Sequence, residues 1–408
     1  MKQLFTNAEI VLPTQDASTP KSGSVRTDGD MISEVGEITD SNDSDIIDCK
    51  GQILAPAIVD LGVFAIDKPA FHFGGITRAA LMPDQNPILD MPAMIKHLAT
   101  EGKPDLWSHP LAAATKGLLG KELAEIGLMQ LAGAKAVATG RQWIADSGMM
   151  LKLLQYCKSL NLPLIVHSED AGLTGNSVAT AGETATRLGL ASAPASAEAL
   201  SIMRDIALVR ETGARVHFRQ VTTKDGLDLI RHAKSEQLPV TCGITPAHLF
   251  LSDIAVSDFR TFARLSPPLR CEADRKACLD AIGDGTIDIV SSGHDPRGPE
   301  DKRLPFAEAE VGMAGAESLL ALSLNLVRDG LISMNRLFEL LSTNPAKLLG
   351  VQAGLLAKDY EADLILIDPD AAWQIDTRKM AAAAGNTPFD GLPVQGRVRA
   401  IYKGGKAL

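Results

Sequence analysis

A chain of 408 residues is longer than one small core requires and fits either one large α/β barrel with an appended piece or two ordinary domains. With 45% hydrophobic and 22% charged residues it has the composition of a folded globular protein and not of a disordered one. A net charge of −10 argues against a general binder of nucleic-acid backbones, and no run of about 18 apolar residues is present to span a bilayer.

The opening MKQLFTNAEIVLP has no long apolar stretch ahead of a small-residue cleavage site, so the cytoplasm is the expected location. Through about Leu54, short alternating runs (FTNAEIVLP, SVRTDGDMISEVG, DIIDCKGQIL) are separated by Ser, Thr, Asp and Gly clusters, which predicts short strands and turns. Further along, PLIVHSED, ARVHFRQVTT, PVTCGIT and TIDIVSSGHDP read as strands. The segments AEALSIMRDIALVRETG and TKDGLDLIRHAKSEQ read as helices between them. This alternation implies a parallel sheet, and so many units in about 300 residues suit a (β/α)8 barrel. The tail returns to strands in ADLILIDPDAAWQI and QGRVRAIYKGGKAL. The expected organisation is a TIM-type barrel over 55–349 and a small β-sandwich domain built from both termini, 1–54 and 350–408.

Five scattered cysteines (Cys49, Cys157, Cys242, Cys271, Cys278) form no CxxC pair and are expected to be reduced, with Cys242 a buried small hydrophobe. In a barrel, chemistry sits at the carboxyl ends of the strands, which directs attention to His167, His217 with Gln220, and Gly293 with His294. A hydrolytic metal site needs several converging His and carboxylate ligands. The eight histidines form no HxH, HxxH or HExxH pair, and His97, His109 and His232 fall in helix or loop segments.

Nine motifs in order carry a resemblance: APAIVDLGVF, GGITRAALMPDQNP, VHSED, ARVHFRQVTT, VTCGITPAHLFLSD, LSPPLRCEADR, GTIDIVSSGHDPRGPEDK, VGMAGAES and STNPAKLLG. From about Ile53 to Pro345 the chain resembles dihydroorotases of the amidohydrolase superfamily, especially the long bacterial type that partners aspartate carbamoyltransferase. The tail EADLILIDPD with NTPFDGLPVQGRV is similar to the family's way of closing its small β domain.

The resemblance implies site positions that this chain has changed. In the frame PGxxDxHxH the two metal-binding histidines fall at Gly62 and Phe64, and the arginine that pairs with the substrate carboxylate falls at Ile66. The MPNT asparagine falls at Asp84, whose negative charge is expected to repel an anionic substrate. The bridging lysine falls at Ala138, with Lys135 about three residues early and facing the other side of the strand. His167 keeps its ligand position. The next ligand is Gln220, His217 holding only the non-ligand place before it. The catalytic aspartate is Gly293, a later substrate-contacting histidine is Arg297, and the asparagine ahead of the PPLR motif is Ser266.

Loss of one general base typically costs 10²–10⁴-fold, and here the metal that would supply the nucleophile loses its ligands as well. The resemblance therefore implies a non-catalytic dihydroorotase-like chain of pyrimidine biosynthesis with no cofactor, partnering the aspartate carbamoyltransferase catalytic chain; a homo-oligomer is the other assembly left open. Its remnant pocket comprises His167, His217, Gln220, His294 and Arg297. Besides an enzyme acting on a different cyclic amide, which would need similar ligands, two alternatives stay open. One is an active dihydroorotase with zinc at a mononuclear or relocated site (His167, His217, Asp295, His294). The other is a small-anion binding module using Arg297, Arg219 or His294.

Overall fold

Eight short, mostly buried strands succeed one another through the middle of the chain of this computed structural model. They are β1 (Ile58–Val63), β2 (Ile76–Leu81), β3 (Trp107–Pro110, continued past Leu111 by Ala112–Ala113), β4 (Val137–Ala138), β5 (Leu164–Val166), β6 (Val216–Phe218), β7 (Val240–Ile244) and β8 (Ile289–Val290). The structure describes residues 2–13, 21–41 and 43–408; positions 1, 14–20 and 42 of the expected terminal unit lie outside the described residues. Each strand pairs in parallel with the next. Such strands are covered on both faces, which is why their sequences are continuous apolar runs.

The ring closes between β8 and β1 largely through side chains. The Asp60 carboxylate accepts hydrogen bonds from the Ser292 backbone N–H (2.9 Å) and the Ser292 hydroxyl, and the Phe64 N–H donates to the His294 carbonyl at 2.8 Å. Burial raises the Asp60 pKa, and the Ser292 bonds work against that. Inside the barrel Val59, Leu61, Met82, Ala138, Ile165 and Ile289 pack into one apolar cluster.

The two predicted helices are present as α1 (Ser196–Thr212) and α2 (Lys224–Ser235). Gly213 ends α1 in the left-handed conformation, where its missing Cβ carries no steric cost. The Thr223 side chain caps α2 by accepting from the Gly226 N–H. Among the described residues no helix is long and apolar enough to cross a membrane.

The two ends of the chain form one eight-stranded sheet, in which Ile53–Pro56 lies between Lys2–Ile10 and Leu364–Gln374. Phe5 and Tyr402 stand three strands apart in the sheet order, yet their rings meet edge to face at 4.9 Å. The sheet therefore curls over its own core of Phe5, Val25, Ile32, Leu54 and Leu364. Between its last long strands the chain returns to the barrel mouth: the Ala383 N–H bonds Asp67, and the Asn386 amide donates to the carbonyls of Asp295 and Gly312.

A buried ion cluster joins the sheet to the barrel. Arg78 of β2 pairs with Asp363 (3.0 Å) and Glu361, and Lys403 reaches both carboxylates. The Trp107 ring lies 4.3 Å from each of the two cations. Removing one partner of a buried pair strands the other charge, at a cost of about 3–5 kcal/mol. Arg78→Met is accordingly expected to lower stability by about 3 kcal/mol in urea denaturation; a loss under about 1 kcal/mol would mean that Lys403 alone neutralises the acidic pair.

Candidate functional site

The carboxyl ends of the strands converge on a mouth dominated by arginine. Arg219, the residue after β6, points inward and is buried. Gly62 has a φ of +85°, and a Cβ there would sit 3.3 Å from the Arg219 Cδ. The Arg219 guanidinium lies 5.2 Å from the Phe64 ring centroid, and that of Arg141 lies 3.5 Å from it. The glycine leaves room for the arginine, and the phenylalanine offers both cations a π face.

Phe64, Gln220 and Gly293 line one cavity of about 20 Å³ together with Arg141, Arg219 and His248. That is space for about a single water. Gly293 has a φ of +59°, and a Cβ there would meet the Thr245 methyl at 3.1 Å, so an aspartate at this position would be strained as well as crowded. Ala138 packs in the same apolar cluster as Phe64. Lys135 is exposed, away from the barrel interior.

The remaining expected site residues have partners elsewhere. His167 sits 3.4 Å from Glu169, whose carboxylate also receives Arg270 at 2.8 Å. Burial would raise the Glu169 pKa, but these two partners bring it down to about 2. His217 bonds Thr241 at 2.9 Å beneath Arg219, and burial with the nearby guanidinium holds it at about 3, hence neutral. His294 turns away from the mouth: its ring meets Phe71 at 5.3 Å, its Nδ1 accepts from the Ala316 N–H, and its Nε2 lies 3.4 Å from Asp67. Asp295 is held by Arg141 (2.5 Å) and Arg297 (3.1 Å). Gln220 is buried with no protein partner for its Oε1 among the described residues. Ile66 packs against the main core.

The four residues of a relocated metal site are therefore not brought together. Among the described residues no group of three or more His, Cys, Asp or Glu side chains could hold an ion. The positions given to metal ligands do not suit a divalent cation either, since Gly62 packs on the aliphatic stem of Arg219 and Phe64 faces its guanidinium. Of the three groups in the anion alternative, Arg297 is paired with Asp295 and His294 is sealed from solvent. Asp84 differs from expectation too. It accepts the Arg141 N–H at 2.8 Å and helps to offset the charge of Arg219.

Sequence reasoning missed Arg141, His248, Arg264 and Trp143. Arg141 stands just beyond β4, at a strand carboxyl end, and that placement was a usable signal. His248 lies in the TPAHL motif and is fixed by Thr245 (2.8 Å) and the Pro267 carbonyl (3.0 Å), with burial lowering its pKa to about 4.

The profile of the amidohydrolase family matches residues 110–408. Among curated proteins, the dihydroorotase of Desulforapulum autotrophicum is 36% identical over 369 residues, covering 87% of this chain and 86% of that protein. The dihydroorotase of Pelobacter propionicus is 32% identical over 425 aligned residues, covering 100% and 99%. Among solved structures, L-hydantoinase from Arthrobacter aurescens matches with a TM-score of 0.88 at 24% identity, over 100% of this chain and 96% of that one. Dihydropyrimidinase from Brevibacillus agri matches with a TM-score of 0.85 at 22% identity, over 100% and 95%. At those identities the two structures speak to the fold.

Two measurements probe this electrostatic arrangement. Arg219 is desolvated and lies near Arg141, which lowers its pKa to about 10 despite Asp84, Glu169 and Asp295. Its charged form thus opposes folding, and Arg219→Met is expected to leave stability unchanged or raise it by up to about 3 kcal/mol, the Phe64 contact returning part of the gain. A loss above about 1 kcal/mol in urea denaturation would instead show that attraction to the three carboxylates dominates. The second concerns pH. His109, His217 and His248 are held neutral at about 3, 3 and 4 by burial, whereas an unfolded histidine titrates near 6.5. As pH falls below about 6.5 the unfolded chain takes up protons first, so stability present above that pH is lost toward the folded-state values. Each histidine is expected to withdraw about 2 kcal/mol between pH 7 and pH 5, and His217→Gln to shrink the difference between those two pH values by about 2 kcal/mol.

Proposed function

The chain belongs to the dihydroorotase branch of the amidohydrolase family, and on that premise we propose that it is a dihydroorotase-like protein without hydrolytic activity, acting as an assembly partner of aspartate carbamoyltransferase. The observation that carries this reading is the packing of Arg219 against Gly62 and Phe64. A hydrolase of this family would need a metal to activate water, and a buried guanidinium competes electrostatically with any divalent ion for that space.

Three further features support it. The space directly at the catalytic position is about 20 Å³, room for about one water. Gly293 has no side chain to accept a proton, and its left-handed backbone opposes simple restoration of an aspartate. Meanwhile the frame is intact: the Asp60–Ser292 seam closes the barrel, and the Arg78–Asp363–Lys403 cluster fixes the terminal sheet to it. Such a chain offers a shaped, rigid surface without turnover. The partner itself is proposed from the family resemblance.

The test is co-expression with the organism's own aspartate carbamoyltransferase followed by size-exclusion chromatography. A single co-eluting complex is the expected result, and separate elution of the two chains would remove the assembly role. In parallel, dihydroorotate hydrolysis with and without added zinc is expected to stay at background. Turnover, with about one zinc per chain surviving dialysis, would restore the enzymatic reading.

A further inference from the structure

Beside the closed catalytic position lies a second cavity of about 270 Å³, bounded by the segments that follow β4, β5 and β7. It shares Arg141, Leu265, Ser266 and Val311 with the small cavity, so the two form one recess at the barrel mouth. Its size is just below the roughly 300 Å³ at which sites for drug-sized ligands begin, which suits a small metabolite.

The charges in its wall are unevenly satisfied. Arg270 is paired with Glu169 and Glu198, and Arg141 and Arg297 share Asp295. Arg264 is the exception. It lines the cavity, forms no ion pair and no side-chain hydrogen bond among the described residues, and its Nε is shielded from solvent. Burial depresses its pKa, and Glu310, the carboxylate that acts on it electrostatically, is exposed. Trp143, on the same wall, presents a shielded indole Nε1–H with no hydrogen-bond partner among the described residues. Arg219, behind the shared wall, likewise leaves Nε and Nη2 without a partner among them. The carboxylate that lines the cavity, Glu169, is already taken by Arg270 and His167.

A partly buried guanidinium with no ion-pair partner, next to an unmet N–H donor in a concave site, defines the complement of a ligand. We propose that this cavity binds a small molecule bearing a carboxylate or phosphate group, gripped at its charged end by Arg264, with an acceptor placed on the Trp143 indole N–H. A cation-rich recess in a protein of net charge −10 would concentrate such an anion locally. The site does not depend on assembly with aspartate carbamoyltransferase, and the isolated chain is expected to bind.

The test is isothermal titration calorimetry of the full chain at constant ionic strength with inorganic phosphate, with succinate, and with uncharged succinamide. Binding of phosphate, succinate or both is expected, with at least about a tenfold loss in Arg264→Met and about a fivefold loss in Trp143→Phe. Phosphate alone would identify a phosphorylated ligand and succinate alone a carboxylate. Should Arg264→Met not fold, Arg264→Lys and the wild-type fluorescence carry the test, because the bound anion should alter tryptophan emission in wild type and not in Trp143→Phe. Failure of both anions to bind, equal binding of succinamide, or undiminished affinity in the Arg264 variants would overturn the proposal.

Discussion

Two like unit charges 4 Å apart repel by about 4 kcal/mol at the effective dielectric of a partly buried site, and a divalent ion doubles that figure. The stem of Arg219 lies against position 62 and its guanidinium faces the ring at 64, so the barrel mouth holds a cation fixed to the chain. Gly62 and Phe64 are then more than absent ligands. A side chain at 62 would crowd Arg219 at a φ of +85°, and loss of the ring at 64 would take the π face from two guanidinium groups. Residues in contact like these are energetically coupled, so restoring one ligand at a time would cost packing before any ion could repay it.

The arginines in this space engage the acidic residues around it. Asp295 is shared between Arg141 and Arg297, and Asp84 accepts the Arg141 N–H while lying within reach of the Arg219 charge. An aspartate that in isolation would drive an anion away is therefore spent on internal compensation. Compensation is incomplete, since Arg219 and Arg264 retain buried N–H groups without partners among the described residues. Buried donors left unpaired weaken a protein, and their concentration at the usual functional end of the barrel fits a surface retained for what it contacts rather than for stability.

Much of the barrel was legible because its strands are continuous apolar runs and its helices carry ordinary end signals, Thr223 ahead of α2 and Gly213 after α1. Which residues stand at positions 62, 64, 138, 220 and 293 could be read from the sequence alone, because each sits at a fixed offset in a motif. What occupies the space was harder to see. His217 and Arg219 are two residues apart and so share the inward face of β6, a parity that could have been counted. Arg141 follows a strand only two residues long, too short to set any period. The orientation of His294 depends on Asp67, which is itself fixed by Ala383 more than 300 positions away in the chain, and local sequence carries no trace of that bond.

Asp60 shows why some parts of an active-site motif outlast others. It belongs to the same short frame as Gly62 and Phe64, yet its carboxylate is wholly buried and bonded to Ser292, where it closes the ring between β8 and β1. Removing it would leave the Ser292 N–H and hydroxyl unsatisfied inside the barrel, whatever the chemistry at the mouth. Residues whose partners belong to the fold are held in place by folding itself, whereas residues whose partner was an ion or substrate are free to change once that partner is no longer needed. The space beside Gly62 is filled by Phe64, Met82 and the stem of Arg219, which pack it as a core is packed. The mouth can thus take on a new binding chemistry while the barrel beneath it stays the same.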